Sequence, residues 1–419
     1  MFFKERFAEM KEIAEKIFDR PELGYKEWET SALVRDFLKK ENPQAELETF
    51  SSTGIKTYLT TDKPLTMAFI AELDAVYAPS HFNADKETGA AHNCGHFTQV
   101  TIALALYAYF METKIHEDFD YNIAFVFIPA EEYLDLDYRK QLVADGKITY
   151  LGGKPEAMKL GVFDGMDFGV CVHSIGEEFA RPTIEIDCDL AGFLYKRYHF
   201  TGKASHAGFD PFSGVNAYSM STLFNVAVGL NRQQFRDDQM VRVNPIVMDS
   251  DMSTNVVPNH ITVGTDLRTK TVEYMQETAH RLDDAAKGSA LALNGQVEIE
   301  TDMGYLPFVQ NRYLNTFVKK AFDQSEEIID IIDDRGGIAA AGDIGDLAFM
   351  FPCIQISYGG FEGTIHGDDF KMVDDRFVLE QFPRFLVDVL KEMNGNIDAS
   401  QLYKRSYAEY EALIQSIAK

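Results

Sequence analysis

The segment AHNCGHFTQV, from Ala91 to Val100, places His92, Cys94 and His96 at alternate positions directly before an apolar stretch. The chain has only four cysteines and ten histidines, so three of them within five positions form an unusual concentration. Thiolate and imidazole are donors that Zn²⁺ and similar ions prefer. The pattern therefore indicates either half of a metal site or a polar loop that enters a helix.

Four further apolar runs end in acidic or histidine side chains. The runs are LTMAFIAELDAVY, YNIAFVFIPAEEY, MDFGVCVHS and FPCIQISYGG. The polar residues at or beyond their carboxyl ends are Glu72, Asp74, Glu131, Glu132, His173 and His366. Continuous apolar runs are typical of strands buried on both faces, and ligands bind beyond the carboxyl ends of such strands. We expect these side chains and the loop around Cys94 to meet at one edge of a sheet.

The residues at this edge supply thiolate, imidazole and carboxylate donors: Cys94, His96, Glu132, His173 and His366. Two divalent ions that share a bridging ligand would use about this number of donors and keep positions open for water and substrate. Zn²⁺ or Mn²⁺ is expected, with Co²⁺ and Ni²⁺ as alternatives. Glu131 is adjacent to Glu132 on an extended segment, so its side chain points elsewhere. Glu131 can therefore take a proton from a metal-bound water, whose pKa is lowered to about 7, and pass it to a leaving amine.

Each of these residues also has an interpretation without catalysis. A Glu-Glu pair is usually a solvated surface, a histidine after an apolar run is often a core residue, and a single cysteine is often a small buried residue. A structural zinc loop is another alternative for the Cys94 segment, but a second paired Cys/His motif is missing nearby. The remaining cysteines and several histidines have no ligand-type neighbours and are given no functional role: Cys171, Cys188, Cys353, His116, His199, His260 and His280.

Two segments in the middle of the chain carry further polar residues of interest. In GKASHAGFDPFSGVNA, His206 lies between small residues and is either an oxyanion donor or an ordinary turn histidine. In STNVVPNHITVGTDLRT, Asn255 and Arg268 stand out. Arg268 either pairs with a substrate carboxylate or lies on the surface of a strand.

Length and charge limit the classes of function. The 419 residues exceed what one compact core usually holds, so two domains are expected. The net charge of −26 argues against nucleic acid and anionic membranes as partners, because both are polyanions. Four widely spaced cysteines indicate free thiols in a reducing compartment. The amphipathic N-terminal segment is unlike a signal peptide, and the most apolar stretch, VTIALALYAYF, is too short to span a bilayer. We therefore expect a cytoplasmic protein.

The spacing of apolar residues predicts an α/β fold with an insertion. Helical spacing runs from Phe3 to Ile17, and a second helix fits WETSALVRDFLKK. The catalytic domain is expected to be a mixed, mostly parallel sheet covered by helices on both faces, formed by residues 1–182 and 303–419. Residues 183–302 follow a β-α-β-β-α-β order, which predicts an inserted α+β (ferredoxin-like) lid domain.

The order of these motifs resembles the M20 metallopeptidase family, and most closely its amidohydrolase branch of N-acyl-amino-acid, hippurate and aminobenzoyl-glutamate hydrolases. DRPELGYKEWETS is similar to the N-terminal Pro-Glu-Leu-Gly signature of that branch. AELDAVYAPSHFNADKETGAAHNCGH is similar to its acidic strand end and His-x-Cys-Gly-His loop. The motifs IPAEE, VCVHS, GKASHAG, NVVPN, GDIGD and TIHGDDF follow in the family's order, so the similarity covers nearly the whole chain.

The resemblance implies a role for each matching residue. The implied metal ligands are Cys94 as the bridge, His96, Glu132, His173 and His366. The residues implied to act around them are Asp74, which orients a ligand histidine, Glu131 as general base and acid, His206 at the tetrahedral intermediate, and Asn255 and Arg268 at the substrate carboxylate. Phe97 and Gln99 depart from the branch, which has Asp and His at these positions, but neither position is a direct metal ligand in its scheme.

The resemblance also implies an activity and an assembly. We expect hydrolysis of the amide bond of an N-acyl amino acid or a small dipeptide-like substrate by a homodimer formed through the lid domain. A dipeptidase or aminopeptidase that uses the same site is the alternative. A catalytically idle relative that binds metal or a partner is the third interpretation.

Overall fold

A computed structural model describes residues 1–251 and 253–417 of the chain, which form two units. The first unit consists of Met1–Cys188, Gln310–Gly336 and Asp346–Tyr407. The second consists of Asp189–Val309, Gly337–Gly345 and the described residues from Ala408 onward. In the described part of the chain, no helix combines the length and the apolar character that crossing a membrane requires.

The first unit is built on a mixed sheet with the strand order β1-β2-β6-β3-β7-β14-β8-β13. Its strands are β1 (Glu48–Phe50), β2 (Gly54–Tyr58), β3 (Leu65–Glu72), β6 (Tyr121–Ile128), β7 (Phe168–Ser174), β8 (Thr183–Ile186), β13 (Asp330–Asp333) and β14 (Cys353–Tyr358). Two short ladders lie outside it: β4 (Val76–Tyr77) with β5 (Ala90–Ala91), and β15 (Phe361–Glu362) with β16 (Lys371–Met372).

Four neighbouring strands of this sheet run parallel to one another: β6, β3, β7 and β14. All eight residues of β6 and all six of β14 are buried, as expected for strands covered on both faces. Because the four strands are parallel, their carboxyl ends lie at the same edge of the sheet. The residues after β3 and β6, the last residues of β7 and the loop after β14 are therefore brought together there.

The helices, in chain order, are α1 (Phe2–Phe18), α2 (Trp28–Glu41), α3 (His96–Thr113), α4 (Leu136–Ala144), α5 (Gly153–Lys159), α6 (Ala217–Asn231), α7 (Val272–Ala292), α8 (Arg312–Gln324), α9 (Ile344–Met350), α10 (Phe382–Met393) and α11 (Tyr407–Ile417). Helix α3 is buried on all sides from His96 to Ala108 and packs against α1, α2 and β3. An all-round apolar helix is stable only inside a core, so α3 holds its N-terminal residues rigidly at the sheet edge.

The second unit is an antiparallel sheet with the order β10-β11-β9-β12, packed against α6 and α7. Its strands are β9 (Gly192–Thr201), β10 (Arg242–Ser250), β11 (His260–Thr269) and β12 (Gln296–Met303). The sequence of elements is β9-α6-β10-β11-α7-β12, which is the predicted β-α-β-β-α-β order. Strand β10 lies at one edge of this sheet.

The limits of the two units differ from the predicted limits of 183 and 302. Strand β8 was placed in the insert, but it pairs with β13 and β14 in the large sheet, so the first unit continues to Cys188. Three segments after residue 302 belong to the second unit: residues 303–309, Gly337–Gly345 and the described residues from Ala408. Pairing between strands that are far apart in the sequence decides these limits. The spacing of apolar residues within a short segment does not show which strands pair.

Candidate metal centre

The loop before α3 places the Cys94 thiol at the edge of the large sheet. Gly95, the N-cap of α3, has φ +92°, and a Cβ on it would lie 2.4 Å from Ser174 Oγ. The Ser174 hydroxyl in turn donates to the Cys94 carbonyl at 2.7 Å. Burial and the Glu132 carboxylate raise the pKa of the Cys94 thiol, but the neighbouring histidines outweigh them and lower it to about 6. The site therefore favours a thiolate, which is the form that binds metals.

His96 is oriented by Asp74, the second residue after β3. Its Nδ1–H donates to the backbone carbonyl of Asp74 at 2.8 Å, and the Asp74 Oδ1 lies 3.4 Å from the same nitrogen. The other ring nitrogen, Nε2, is buried and has no hydrogen-bond partner among the described residues. Asp74 also accepts the backbone N–H of Glu132 on Oδ2 at 3.0 Å. One buried aspartate thus positions both a histidine and a carboxylate of the site.

Glu131 and Glu132 follow β6 through a strained turn. Ala130 has φ +57°, and its N–H donates to the buried Glu27 carboxylate at 2.8 Å while its carbonyl accepts from Gly153 and Arg139. These bonds hold a left-handed conformation that costs a non-glycine residue about 1–2 kcal/mol. The turn lets the two adjacent carboxylates diverge. Glu132 Oε1 lies 2.9 Å from His366 Nε2, and Glu131 Oε2 lies 3.9 Å from His96 Nε2.

The two remaining histidines come from β7 and from the loop after β14. His173 donates from Nδ1 to the Ser174 carbonyl at 2.9 Å, and its Nε2 lies 3.5 Å from Cys94 Sγ. His366 has φ +64°, and its backbone N–H donates to the Asn93 carbonyl at 2.8 Å, in the loop that carries Cys94. Burial lowers the pKa of His366, but the facing Glu132 carboxylate outweighs this effect and raises it to about 11.

These side chains form two donor groups that share the thiol. Cys94, His96 and His173 have ligand atoms within 4.8 Å of one another, and so do Cys94, Glu132 and His366. The groups contain thiolate, imidazole and carboxylate, which together suit transition-metal ions. The buried Nε2 of His96 has no hydrogen-bond partner among the described residues and faces the Glu72 and Glu131 carboxylates at 3.2 and 3.9 Å, which suits a nitrogen that binds a metal ion. The residues present therefore fit two metal ions, and Cys94 belongs to both groups that would hold them.

Three residues predicted for the site, His206, Asn255 and Arg268, lie in the second unit. His206 is exposed, and its Nδ1 accepts the N–H groups of Gly208 and Phe209 at 3.2 and 3.0 Å, so a neutral ring carries its proton on Nε2. The carbonyl of exposed Asn255 accepts the N–H of the residue after His206 at 2.9 Å, which places both residues on one surface of this unit.

Arg268 lies on β11, and its guanidinium is engaged within the second unit. The Nε–H donates to Asp266 at 3.1 Å and Nη1 donates to the Ala339 carbonyl at 2.8 Å. The guanidinium carbon also lies 5.6 Å from the centre of the Phe193 ring. A substrate carboxylate would therefore have to use the remaining N–H groups of Arg268.

Two residues near the ligands were missed as functional residues by sequence reasoning. Glu72 was recognised as a strand end without a role, and Lys154 was not recognised at all. Lys154 is completely buried, and its Nζ lies 2.5 Å from Glu72 Oε1. Burial raises the pKa of Glu72, but Lys154 and His96 outweigh this effect and lower it to about 2, so Glu72 is a carboxylate. Only the polar strand end of Glu72 was a signal, because Lys154 stands in an ordinary surface-like segment, LGGKPEAM.

The departures at positions 97 and 99 have structural explanations. Phe97 packs in an aromatic cluster, with its ring centre 5.0 Å from that of Phe18 and 5.9 Å from that of His92. Gln99 is buried and donates from Nε2 to Glu72 Oε2 at 2.8 Å. Neither side chain removes a ligand from the two donor groups. His92, which stands first in the opening motif, is outside both groups.

Comparisons with known proteins show which family the chain resembles. The family model described as peptidase family M20/M25/M40 matches residues 68–384. An Xaa-Arg dipeptidase of Mus musculus is 24% identical over 373 residues, which cover 85% of this chain and 78% of the relative. An N-acetyldiaminopimelate deacetylase of Streptococcus uberis is 25% identical over 330 residues, which cover 75% of this chain and 81% of the relative. The structure of a dinuclear metal-binding peptidase of the M20 family from Bacillus subtilis superposes with a TM-score of 0.75 at 16% identity, covering 94% of this chain and 100% of that one.

The family match spans the strand ends and loops that carry the two donor groups, from Cys94 to His366. The predicted fold class is confirmed by the mixed sheet and by the superposed M20 structure. The predicted family and the prediction of an enzyme are confirmed as well. The chain belongs to peptidase family M20/M25/M40 and is a metal-dependent hydrolase.

Proposed function

We propose that the protein hydrolyses the amide bond of an N-acyl amino acid or a similarly small amide, with two divalent ions bound at the edge of the large sheet. The observation that carries this proposal is the pair of donor groups that share Cys94, with a further carboxylate, Glu131, beside them. A thiolate shared by two ligand sets suits a two-ion centre, and the extra carboxylate would give such a centre its base.

Each ion would be held by Cys94 and two further residues. His96 and His173 would complete one position, and Glu132 and His366 the other. When bound, the ions would supply Lewis acidity that polarises the substrate carbonyl and lowers the pKa of water. We propose Zn²⁺ or Mn²⁺, with Co²⁺ and Ni²⁺ as alternatives, because a thiolate favours the softer ions and carboxylates the harder ones.

The chain's own residues would handle the proton and the developing charge. Glu131 is buried and diverges from the Glu132–His366 pair, so its carboxylate would take a proton from water and deliver it to the leaving amine. Asp74 would keep His96 in the orientation that presents Nε2 to an ion. His206 would donate from Nε2 to the oxyanion, since two backbone N–H groups hold the tautomer that carries the proton there.

Asn255 and Arg268 would bind the carboxylate of the substrate. The exposed Asn255 lies beside His206 on the surface of the second unit. Arg268 would use the guanidinium N–H groups that Asp266 and Ala339 do not accept. A planar guanidinium fixed by two other contacts binds a carboxylate at a lower entropic cost than a free side chain.

A dipeptidase is the second candidate function, and the Xaa-Arg dipeptidase named above supports it at 24% identity. A substrate panel separates the two. N-acetyl and N-benzoyl amino acids should be cleaved if the amide proposal is correct, whereas dipeptides with a free amino group should be the preferred substrates of a dipeptidase.

The Glu131→Gln variant tests the mechanism on whichever substrate is cleaved. We expect kcat to fall by about 10²–10⁴ because a general base is removed, with metal content unchanged because Glu131 belongs to neither of the two donor groups that contain Cys94. Metal content is measured by elemental analysis. Full turnover in this variant would contradict the assignment of the base.

We also propose that the protein is a homodimer formed through the second unit. Helix α6 exposes Tyr218, Val226 and Leu230, and the edge strand β10 exposes Val247 and Met248. Exposed apolar side chains on a helix and on an unpaired strand edge are typical of an interface between subunits. Light scattering on wild type and on Leu230→Glu tests this: a wild-type monomer would contradict it.

A cytoplasmic location is proposed as well, because the Cys94 thiol must stay reduced to bind metal.

A further inference from the structure

A fully buried ion pair lies directly behind the metal ligands. Glu72, the last residue of β3, is 3% exposed, and Lys154, in the first turn of α5, is 0% exposed. Lys154 Nζ binds Glu72 Oε1 at 2.5 Å, and Gln99 Nε2 donates to Glu72 Oε2 at 2.8 Å. The Gln99 side-chain carbonyl also accepts the backbone N–H of Glu72 at 3.3 Å. Both oxygens of this carboxylate are therefore held in place from two sides.

The carboxylate is aimed at a metal-binding nitrogen. Glu72 Oε2 lies 3.2 Å from His96 Nε2, the ring nitrogen that remains after Nδ1 has bonded to the Asp74 carbonyl. That nitrogen is buried and has no hydrogen-bond partner among the described residues. Glu72, His96 and Glu131 form a third donor group whose ligand atoms lie within 4.8 Å of one another. An ion on His96 Nε2 would consequently face the Glu72 carboxylate.

Stability alone is a weak reason for this arrangement. Burying a lysine and a glutamate together costs desolvation that their attraction often fails to recover, and apolar replacements of similar volume are frequently neutral or stabilising. The pair does solve an electrostatic problem at this edge of the sheet. Lys154 compensates the charge of Glu72, so this carboxylate can lie beside His96 and Glu131 without adding net negative charge.

We propose that Glu72 is a further ligand of the ion held by His96, and that Lys154 and Gln99 are positioning residues that keep its carboxylate turned toward that ion. The inference rests on the two-ion centre proposed above. It has a consequence for metal choice. A carboxylate oxygen is a hard donor that suits Mn²⁺ better than the thiolate does, so Glu72 should raise the affinity of this position for Mn²⁺ more than for Zn²⁺.

Metal affinity of the full-length protein tests the inference without relying on turnover. Metal-free wild type and variants are titrated with Zn²⁺ and with Mn²⁺ against a competing chelator, and the visible spectrum of the Co²⁺-loaded protein reports the ligands of the ion. In Glu72→Gln, we expect Mn²⁺ affinity at one position to fall tenfold or more, Zn²⁺ affinity to fall less, and the Co²⁺ spectrum to change. Lys154→Met should weaken Mn²⁺ binding in the same direction.

The double variant Glu72→Met/Lys154→Met removes the whole pair and leaves no unpaired buried charge, so it should fold even where a single variant does not. Because it lacks the Glu72 carboxylate, its affinity for Mn²⁺ should remain below that of wild type. The matched control is Lys56→Met, another buried lysine of the same unit, which binds the Val162 carbonyl and Glu48 outside the donor groups. Its metal affinities should equal those of wild type.

The outcomes separate this inference from the proposed function. Two metal equivalents in wild type, with wild-type affinities and Co²⁺ spectrum in Glu72→Gln or in the double variant, would overturn the role of Glu72 and leave the two-ion centre standing. Failure of wild type to bind Zn²⁺, Mn²⁺ or Co²⁺ would overturn both. If Lys56→Met loses as much Mn²⁺ and Zn²⁺ affinity as Lys154→Met does, the loss follows from removing any buried lysine. That result would also refute the inference.

Discussion

Replacing Gly95 by alanine adds one methyl group, and we expect it to lower both the stability of the first unit and the metal affinity of the candidate centre. The φ of +92° at Gly95 lies in the left-handed region, and a Cβ there would lie 2.4 Å from the Oγ and 2.6 Å from the Cβ of Ser174. For Gly95→Ala the left-handed backbone costs about 1–2 kcal/mol. Displacement of Ser174 breaks the hydrogen bond to the Cys94 carbonyl, which is worth about 0.5–1.5 kcal/mol. We expect a loss of about 1.5–3.5 kcal/mol in the free energy of unfolding of the first unit.

Gly146→Ala is the matched control, because it has the same type of backbone conformation without the clash. Gly146 has φ +69°, and a Cβ on it would meet nothing within 4 Å. We expect it to lose only the conformational part, about 1–2 kcal/mol, and to keep full metal affinity. Gly95→Ala should in addition bind Zn²⁺ more weakly, since both Cys94 and His173 adjoin the displaced atoms.

Thermal unfolding of the metal-free proteins and titration with Zn²⁺ against a chelator measure the two effects. We expect Gly95→Ala to be less stable than Gly146→Ala and to bind Zn²⁺ more weakly. Equal unfolding midpoints together with equal Zn²⁺ affinities for the two variants would refute it, because the contact with Ser174 would then have no consequence.

Three further predictions concern the site and its support. Cys94→Ala should lose both metal equivalents by elemental analysis, since the two donor groups share this thiol; retention of one full equivalent would show that one ion does not need it. Glu27→Ala should lower the unfolding free energy by at least about 2 kcal/mol, because the buried N–H groups of Tyr25 and Ala130 lose their acceptor. It should also lower kcat through the turn before Glu131, and unchanged unfolding and turnover would contradict this. His206→Ala should lower kcat by about 10²–10³ with metal content unchanged, and normal turnover would remove the oxyanion role.

Most of the residues in the candidate donor groups could be named from the sequence, and the reason is topological. Parallel strands buried on both faces must be apolar along their length, so the first polar residues after β3, β6, β7 and β14 are conspicuous in the sequence. Their carboxyl ends meet at one edge wherever the strands pair in parallel. A reader of the sequence can therefore group Cys94, His96, Glu132 and His366 without knowing a single distance.

The supporting residues could not be predicted in the same way. Lys154 stands in a segment whose pattern is that of a surface loop and short helix, and only the packing of α5 against the sheet buries its ammonium group beside Glu72. Gln99 stands where the branch pattern has a histidine, so the sequence suggests the loss of a functional residue. In the fold, its side-chain amide donates to the Glu72 carboxylate, which lies beside His96. The sequence does not show which groups contact Arg268. In the second unit, its guanidinium donates hydrogen bonds to Asp266 and to the Ala339 carbonyl.

The sequence by itself determined the kinds of donor, the strand ends that carry them and the family, because these depend on residue types and on the periodicity of short segments. The tertiary structure alone decided which donor atoms lie close together, which way Glu131 and Glu132 diverge, and where the first unit ends. Those properties depend on contacts between residues far apart in the chain, such as Glu132 with His366 and β8 with β13. These contacts cannot be predicted from the local sequence, because the residue pattern around each partner is the same whether or not the contact forms.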